Sequence, residues 1–231
     1  MLFDLDGTLS DGAAGMLVSL AEACVAVGLE VPDDEVLRGF LGPPFEEAFA
    51  DHFGLAPAEC SIALAAYRAR YVDGGAMLEA RPYPGVVALL DALRECGLTI
   101  AVATSKPEVF AAKLVRHLGL SQRLDGVFGP ALEGPGSKAA VIAAACATLG
   151  LKATTTVMVG DRSHDVVGAA SNAMAAIGVL WGHGSRAELE AAGAAAIVDT
   201  PSALATLLGA DGALLGRGLN EPGSHASGNR S

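Results

Sequence analysis

Short apolar runs alternate along the chain with longer stretches whose apolar residues recur at helical spacing. The runs cover residues 1–3, 98–103, 155–159, 175–180 and 195–198. Brief and bounded by Gly, Asp, Ser or Thr, they have the look of parallel strands buried on both faces. Helical patterns fall between and after them, at 85–95, 107–118, 138–149, 164–171 and 186–192. Strand and helix in this alternation predict an α/β fold, with a doubly wound parallel sheet between helical layers.

Residues 15–81 break the rhythm. No good strand occurs there, and pairs such as Met16 and Leu20, or Ile62, Ala66 and Tyr67, keep helical spacing. A strand-to-helix connection that long is abnormal in a compact domain unless it forms a unit of its own. The expected organisation is a core made of 1–14 and 82–215, with a small helical insert at 15–81 above the active end of the sheet. The tail at 216–231 is rich in Gly, Ser, Asn and Pro and is expected to be disordered.

Composition narrows the picture. Hydrophobic residues make up 52% of the 231, enough for a real core, but only 5% are aromatic, so Ala, Leu and Val must do most of the packing. A formal net charge of −11 and only 15 Lys and Arg argue against nucleic acid as the main partner. An acidic protein that handles phosphate must neutralise it locally, with a metal and a few chosen cations. The four cysteines, at 24, 60, 96 and 146, form no C-x-x-C pair and are expected to be structural thiols. Without a signal peptide or an apolar run long enough to cross a membrane, a cytoplasmic location and no membrane partner are expected.

The candidate chemistry gathers at the ends of the predicted strands. Asp4 and Asp6 stand two apart after the first run, and in extended backbone residues i and i+2 project to the same side. Gly7 would let the chain turn and bring a backbone N–H close to an anion, and Thr8 could brace a neighbouring carboxylate. Thr104 and Ser105 end the second run and open a helix, a place suited to phosphate. Lys138 follows Gly136-Ser137 at the start of another helix. Asp161 and Asp165 lie just past the run at 155–159. Ligands of open α/β sheets bind beyond the carboxyl ends of the strands. Each group alone reads as a turn, a cap or a solvated charge. Together they make an oxygen-rich set fit for Mg²⁺.

Phe3-Asp4-Leu5-Asp6-Gly7-Thr8-Leu9, Thr104, Lys138 and Gly160-Asp161-Arg162-Ser163-His164-Asp165 resemble, in order, the four motifs of the haloacid dehalogenase superfamily. Leu41-Gly42-Pro43-Pro44, Tyr83-Pro84-Gly85-Val86, Thr104-Ser105-Lys106-Pro107 and Gly178-Val179-Leu180-Trp181-Gly182 resemble its phosphoglycolate phosphatase and 5′-nucleotidase-like branch. The resemblance spans residues 1–208. It implies a Rossmann-like core with a helical cap, and a Mg²⁺-dependent phosphatase acting on a small phosphorylated metabolite. By the same resemblance, Asp4 is the nucleophile that forms an aspartyl-phosphate and Asp6 the general acid and base. Gly7, Thr104, Ser105 and Lys138 would bind the phosphoryl group. Mg²⁺ would be held by Asp4, the backbone carbonyl of Asp6, Asp161 and, in support, Asp165. One departure is that only three residues precede Asp4, where the family has several, which makes the first strand short.

Other readings are weaker on the residues. A carbon–halogen hydrolase needs no acid at Asp6, and a phosphonate-cleaving relative needs a cap lysine, whereas no lysine precedes Lys106. Phosphomutase relatives use polar cap groups, and this insert offers His52, Arg38, Arg68 and Arg70. A catalytically silent regulator on the same fold, and a phosphotransferase acting on a protein hydroxyl, remain as alternatives.

Overall fold

In chain order, a computed structural model of the protein describes β1 (Leu2–Phe3), β2 (Ser10–Asp11), α1 (Ala13–Ala26), α2 (Asp34–Gly39), α3 (Phe45–Phe53) and α4 (Pro57–Arg68). A π-helical turn (Ala69–Asp73) and a 3-10 turn (Ala76–Glu79) lead to β3 (Arg81–Pro82) and α5 (Val86–Glu95). Then come β4 (Ala101–Ala103), α6 (Glu108–His117), β5 (Gly126–Phe128), α7 (Lys138–Leu149), β6 (Val157–Gly160) and α8 (Ser163–Ala170). The described chain ends with β7 (Ala175–Val179), α9 (Arg186–Ala192), β8 (Ala196–Val198) and α10 (Pro201–Gly209). Residues 1–42, 45–132 and 136–209 are described. The disorder expected at 216–231, and Pro43-Pro44 of the resemblance, lie outside them.

The main sheet has six strands in the order β5-β4-β1-β6-β7-β8, every pair parallel. Its apolar runs are continuous because successive side chains enter two different cores. Phe3, Val102, Val157 and Val159 face one core, with Val86, Leu90 and Leu93 of α5 and Leu114 of α6. Leu2, Ala101, Ala103 and Met158 face the other, with Ile142 of α7, Val166 of α8 and Leu189 of α9. Helices on both faces make this the Rossmann-like, doubly wound fold that the alternation predicts.

The strands run shorter than their apolar runs. Residues 98–100 precede β4, and Thr155 falls in a 3-10 turn. Four elements have no counterpart in the apolar pattern. β5 is an edge strand with all three residues half-buried. α10 packs Leu204 and Leu208 beside α5. β2 and β3 form an antiparallel ribbon, Ser10 opposite Pro82 and Asp11 opposite Arg81.

That ribbon brackets a helical cap. α1 packs along α4, and α3 packs on α4. Inside the cap, Phe40 stacks against Phe53 at 5.4 Å and Phe45 against Phe49 at 4.2 Å. His52 meets the Phe40 ring edge-on, so it is part of this packing. Asp33 starts α2 by accepting a hydrogen bond from the Val36 N–H at 3.0 Å, the usual remedy for a free helix N-terminus. Cys24 and Cys60 are buried and Cys96 is exposed. Among the described residues no helix is long and apolar enough to cross a membrane.

Candidate active site

β1 and β6 deliver two carboxylates side by side. The Asp4 N–H continues the ladder by donating to Val159 O at 2.8 Å, and β6 ends at Gly160, directly before Asp161. Asp165 lies one turn into α8, where its Oδ2 accepts from the Arg162 N–H at 3.1 Å and caps the helix. The carboxylate oxygens of Asp4, Asp161 and Asp165 lie within 4.8 Å of one another, and all three residues are buried.

One cation enters this cluster. The Lys138 ammonium, at the first residue of α7, lies 2.5 Å from Asp4 Oδ1 and 2.7 Å from Asp165 Oδ1, and it donates to Ala103 O at 3.0 Å. Burial alone would lower its pKa, but Asp165 and Asp4 outweigh that and hold it above its ordinary value. Burial pushes Asp165 up to about 6, against the pull of Lys138. Asp161 is pushed up to about 8, by burial first and then by Asp4 and Asp165. Two of the three carboxylates, Asp4 and Asp165, pair with the one ammonium and Asp161 does not, which leaves negative charge in a space of low dielectric. An all-oxygen donor set with uncompensated charge is what a hard divalent cation requires, so these residues fit Mg²⁺.

Asp161 is also held by neutral groups. Its Oδ1 accepts from the Thr8 hydroxyl at 3.1 Å and its Oδ2 from the His183 N–H at 2.8 Å. The Trp181 Nε1–H donates to Thr8 O at 2.9 Å, tying the loop after β7 to the turn after β1. The bracing role expected of Thr8 is therefore present. Gly7 makes the turn that was expected of it. Its N–H donates to Ser10 O at 2.9 Å, which closes that turn. The glycine is needed because its φ is +88° and because a Cβ there would collide with the Asp161 carboxylate.

Asp6 stands apart from the carboxylate cluster. Its Oδ2 pairs with the Lys106 ammonium at 2.9 Å. The chain leaves β1 at Phe3, so the Asp4–Asp6 relation is set by the turn and not by an extended strand. A metal contact from Asp6 would thus come from its backbone carbonyl and not its carboxylate. Both aspartates still line one cavity of about 810 Å³ between cap and core, together with Thr104, Ser105 and Lys138. Thr104 is 2% exposed, and its hydroxyl accepts from the Lys106 N–H at 3.2 Å, which shapes the turn into α6.

The cap's arginines divide. Arg68 lines the cavity, Arg70 pairs with Glu22 at 3.4 Å, and Arg38 is not among the lining residues. Sequence reasoning passed over Arg162 as well as Lys106. Arg162 is gripped by Glu188 at 2.9 Å and donates to Leu41 O, so it joins core to cap. Both stand inside quoted motifs, but their contacts depend on residues far away in the chain.

A family profile described as haloacid dehalogenase-like hydrolase matches residues 1–179. A 5′-nucleotidase of Pseudomonas aeruginosa is 39% identical over 192 residues, covering 83% of this chain and 86% of that one. The tyrosine-protein kinase PtkA of Mycobacterium tuberculosis is 40% identical over 185 residues, covering 80% of this chain; the chain spans 62% of that protein's length. A phosphoglycolate phosphatase of Agrobacterium fabrum is 32% identical over 192 residues, covering 79% and 80%. The crystal structure of a predicted phosphatase from Clostridium acetobutylicum superposes with a TM-score of 0.86 at 36% identity, covering 90% and 96%. The chain belongs to the haloacid dehalogenase-like hydrolases. Within that family it is an enzyme of the phosphoric monoester hydrolase type.

Proposed function

We propose that the protein is a Mg²⁺-dependent phosphatase that hydrolyses a small phosphomonoester through an aspartyl-phosphate on Asp4. The observation that carries this reading is the buried trio of Asp4, Asp161 and Asp165, two of which, Asp4 and Asp165, hold the Lys138 ammonium at the wall of the cavity. In the first step an Asp4 oxygen attacks phosphorus, the phosphorus–oxygen bond to the leaving group breaks, and Asp6 gives that oxygen a proton. In the second step Asp6 takes a proton from water and the resulting hydroxide attacks phosphorus. The bond to Asp4 then breaks, releasing phosphate and restoring both side chains. Thr104, Ser105 and Lys138 hold the phosphoryl oxygens as charge moves between them. Asp4, the backbone carbonyl of Asp6, Asp161 and Asp165 would hold Mg²⁺, which when bound offsets the charge of the carboxylates facing an anionic ester. The core at 1–14 and 82–215 would perform this chemistry while the cap at 15–81 selects the leaving group. A cytoplasmic enzyme acting on a phosphorylated metabolite, without nucleic acid, accords with the net charge of −11.

The cavity wall supports a nucleoside-like leaving group over a glycolate-like one. The chain has seven Phe, three Tyr and one Trp, and six of these line the cavity: Phe40, Phe45, Phe49, Tyr67, Tyr71 and Phe110. Among the described residues, Arg68 is the single charged side chain that the cap adds to it. A planar ring gains from aromatic walls, whereas a second small anion would need more cation than the cap supplies. The test is phosphate release from nucleoside 5′-monophosphates and 2-phosphoglycolate, with Asp4→Asn as control. The variant should keep its fold and lose turnover by more than about a thousandfold. Near wild-type turnover by Asp4→Asn removes the mechanism.

The kinase relative motivates a second reading, transfer of the phosphoryl group from Asp4 to a protein hydroxyl. Radiolabel recovered as free phosphate supports hydrolysis, and label retained on protein tyrosine supports transfer.

A further inference from the structure

Lys106 and Tyr71 form a contact between core and cap that the proposed chemistry leaves unused. Lys106 follows Thr104 on the turn into α6, and its side chain is only 9% exposed. Its ammonium lies 2.9 Å from Asp6 Oδ2, donates to the Tyr71 hydroxyl at 3.0 Å, and sits 4.6 Å from the centre of the Tyr71 ring. Tyr71 belongs to the cap, is 3% exposed, and stacks on Tyr67 at 5.1 Å. The other Asp6 oxygen, Oδ1, is buried with no hydrogen-bond partner among the described residues.

We propose that Lys106 is a positioning residue that orients Asp6 for proton transfer when Tyr71 of the seated cap holds its ammonium in place. This rests on the phosphatase reading and adds a device to it. A lysine stem is long and flexible, and a lone contact to Asp6 would leave much of that freedom in place. The Tyr71 hydroxyl and ring face remove it together. With Oδ2 held, Oδ1 is the atom free to exchange a proton with the leaving oxygen or with water. A buried acceptor without a donor is unfavourable, and such a hydrogen relieves it. Direct binding of the phosphoryl group is already available from Lys138, which reaches Asp4 itself. Lys106 reaches the other aspartate. The chain Tyr71–Lys106–Asp6 makes proton transfer depend on cap closure, so that water meets the phosphoenzyme only in a closed site.

The test is pre-steady-state turnover of p-nitrophenyl phosphate, whose leaving group needs little protonation. In Lys106→Met the nitrophenolate burst should persist within about threefold of wild type while the steady-state rate falls at least about tenfold, because water activation depends on Asp6. The inhibition constant of inorganic phosphate should move by less than about threefold. Tyr71→Phe keeps the ring, so it serves even if Lys106→Met does not fold, and it should slow the steady state without slowing the burst. The double variant should be no slower than Lys106→Met, as expected for residues acting in one chain. A burst that falls as far as the steady state, a tenfold weaker phosphate inhibition, or additive losses would overturn the proposal and make Lys106 a simple charge for the phosphoryl group. If wild type turns over neither this ester nor alkyl phosphates, the phosphatase reading fails and this proposal with it. Turnover by wild type with variants at wild-type rates sinks the proposal alone.

Discussion

Asp161 is fully buried, with Thr8 and His183 as its donors and Asp4 and Asp165 as like-charged neighbours. Its pKa is pushed up to about 8, whereas the unfolded chain would release the proton at an ordinary carboxylate value. Between those limits the folded state binds the extra proton, so metal-free protein loses stability as pH rises from about 4 to about 8. A divalent cation favours the ionised form and reverses the trend. EDTA-treated protein should therefore melt lower at pH 8 than at pH 5.5, and Mg²⁺ should raise the melting temperature more at pH 8. Asp161→Asn should stabilise the metal-free protein at pH 8 by about 1–2 kcal/mol and abolish the Mg²⁺ response. If variant and wild type show the same pH dependence and the same response, Asp161 does not carry the buried charge. Gly182 packs against the same carboxylate, so close that a Cβ would overlap it and Gly7 O. Gly182→Ala should raise the Mg²⁺ concentration needed for half-maximal activity, a shift readable by titration.

Among the elements, β1 carries the most for its length. Two residues join β4 on one side and β6 on the other, and Leu2 and Phe3 enter opposite cores with no exposure. Phe3→Ala should cost about 3–5 kcal/mol in denaturant unfolding. A loss under about 1 kcal/mol would mean that the central strand tolerates a cavity. This element was legible in the sequence because residues 1–3 are apolar and end at an aspartate. The carboxylates at the ends of β1 and β6 and the lysine opening α7 were legible too, because their residue types punctuate apolar runs. β5 was not, since its three residues open on a glycine and follow Leu124-Asp125 without a longer apolar run to mark them. The β2–β3 ribbon joins segments separated by the whole cap, and no local pattern encodes that pairing. Gly7 was assigned to phosphate from its residue type and its place in the first motif. Which acceptor takes its N–H depends on the turn that Ser10 closes. The pairing of Asp6 with Lys106 was invisible for the same reason.

At the scale of the whole molecule, the cap rests on the core through two cations rooted at the site, Lys106 against Tyr71 and Arg162 against Leu41 O. Glu188 of α9 steadies Arg162 and also accepts from the Ser163 N–H at 2.8 Å. Glu188→Ala should loosen the cap without touching a reacting atom. Faster hydrogen exchange near Leu41 and a several-fold lower kcat/KM would show it, while unchanged exchange would make this contact ornamental. The central place of β1 also has a temporal consequence. Its partners Ala101 and Met158 lie far down the chain, so the segment bearing Asp4 is synthesised early and docks late. Non-local pairing of this kind slows folding, because loops must close before contacts compensate for the lost entropy. During synthesis Leu2 and Phe3 wait unpaired, as an aggregation-prone edge that a chaperone would shield. The single tryptophan, Trp181, is bonded to the turn beyond β1 and offers a built-in clock. In refolding, its fluorescence should reach the native value after helical circular dichroism has recovered, marking the moment at which the catalytic end of the sheet is finally assembled.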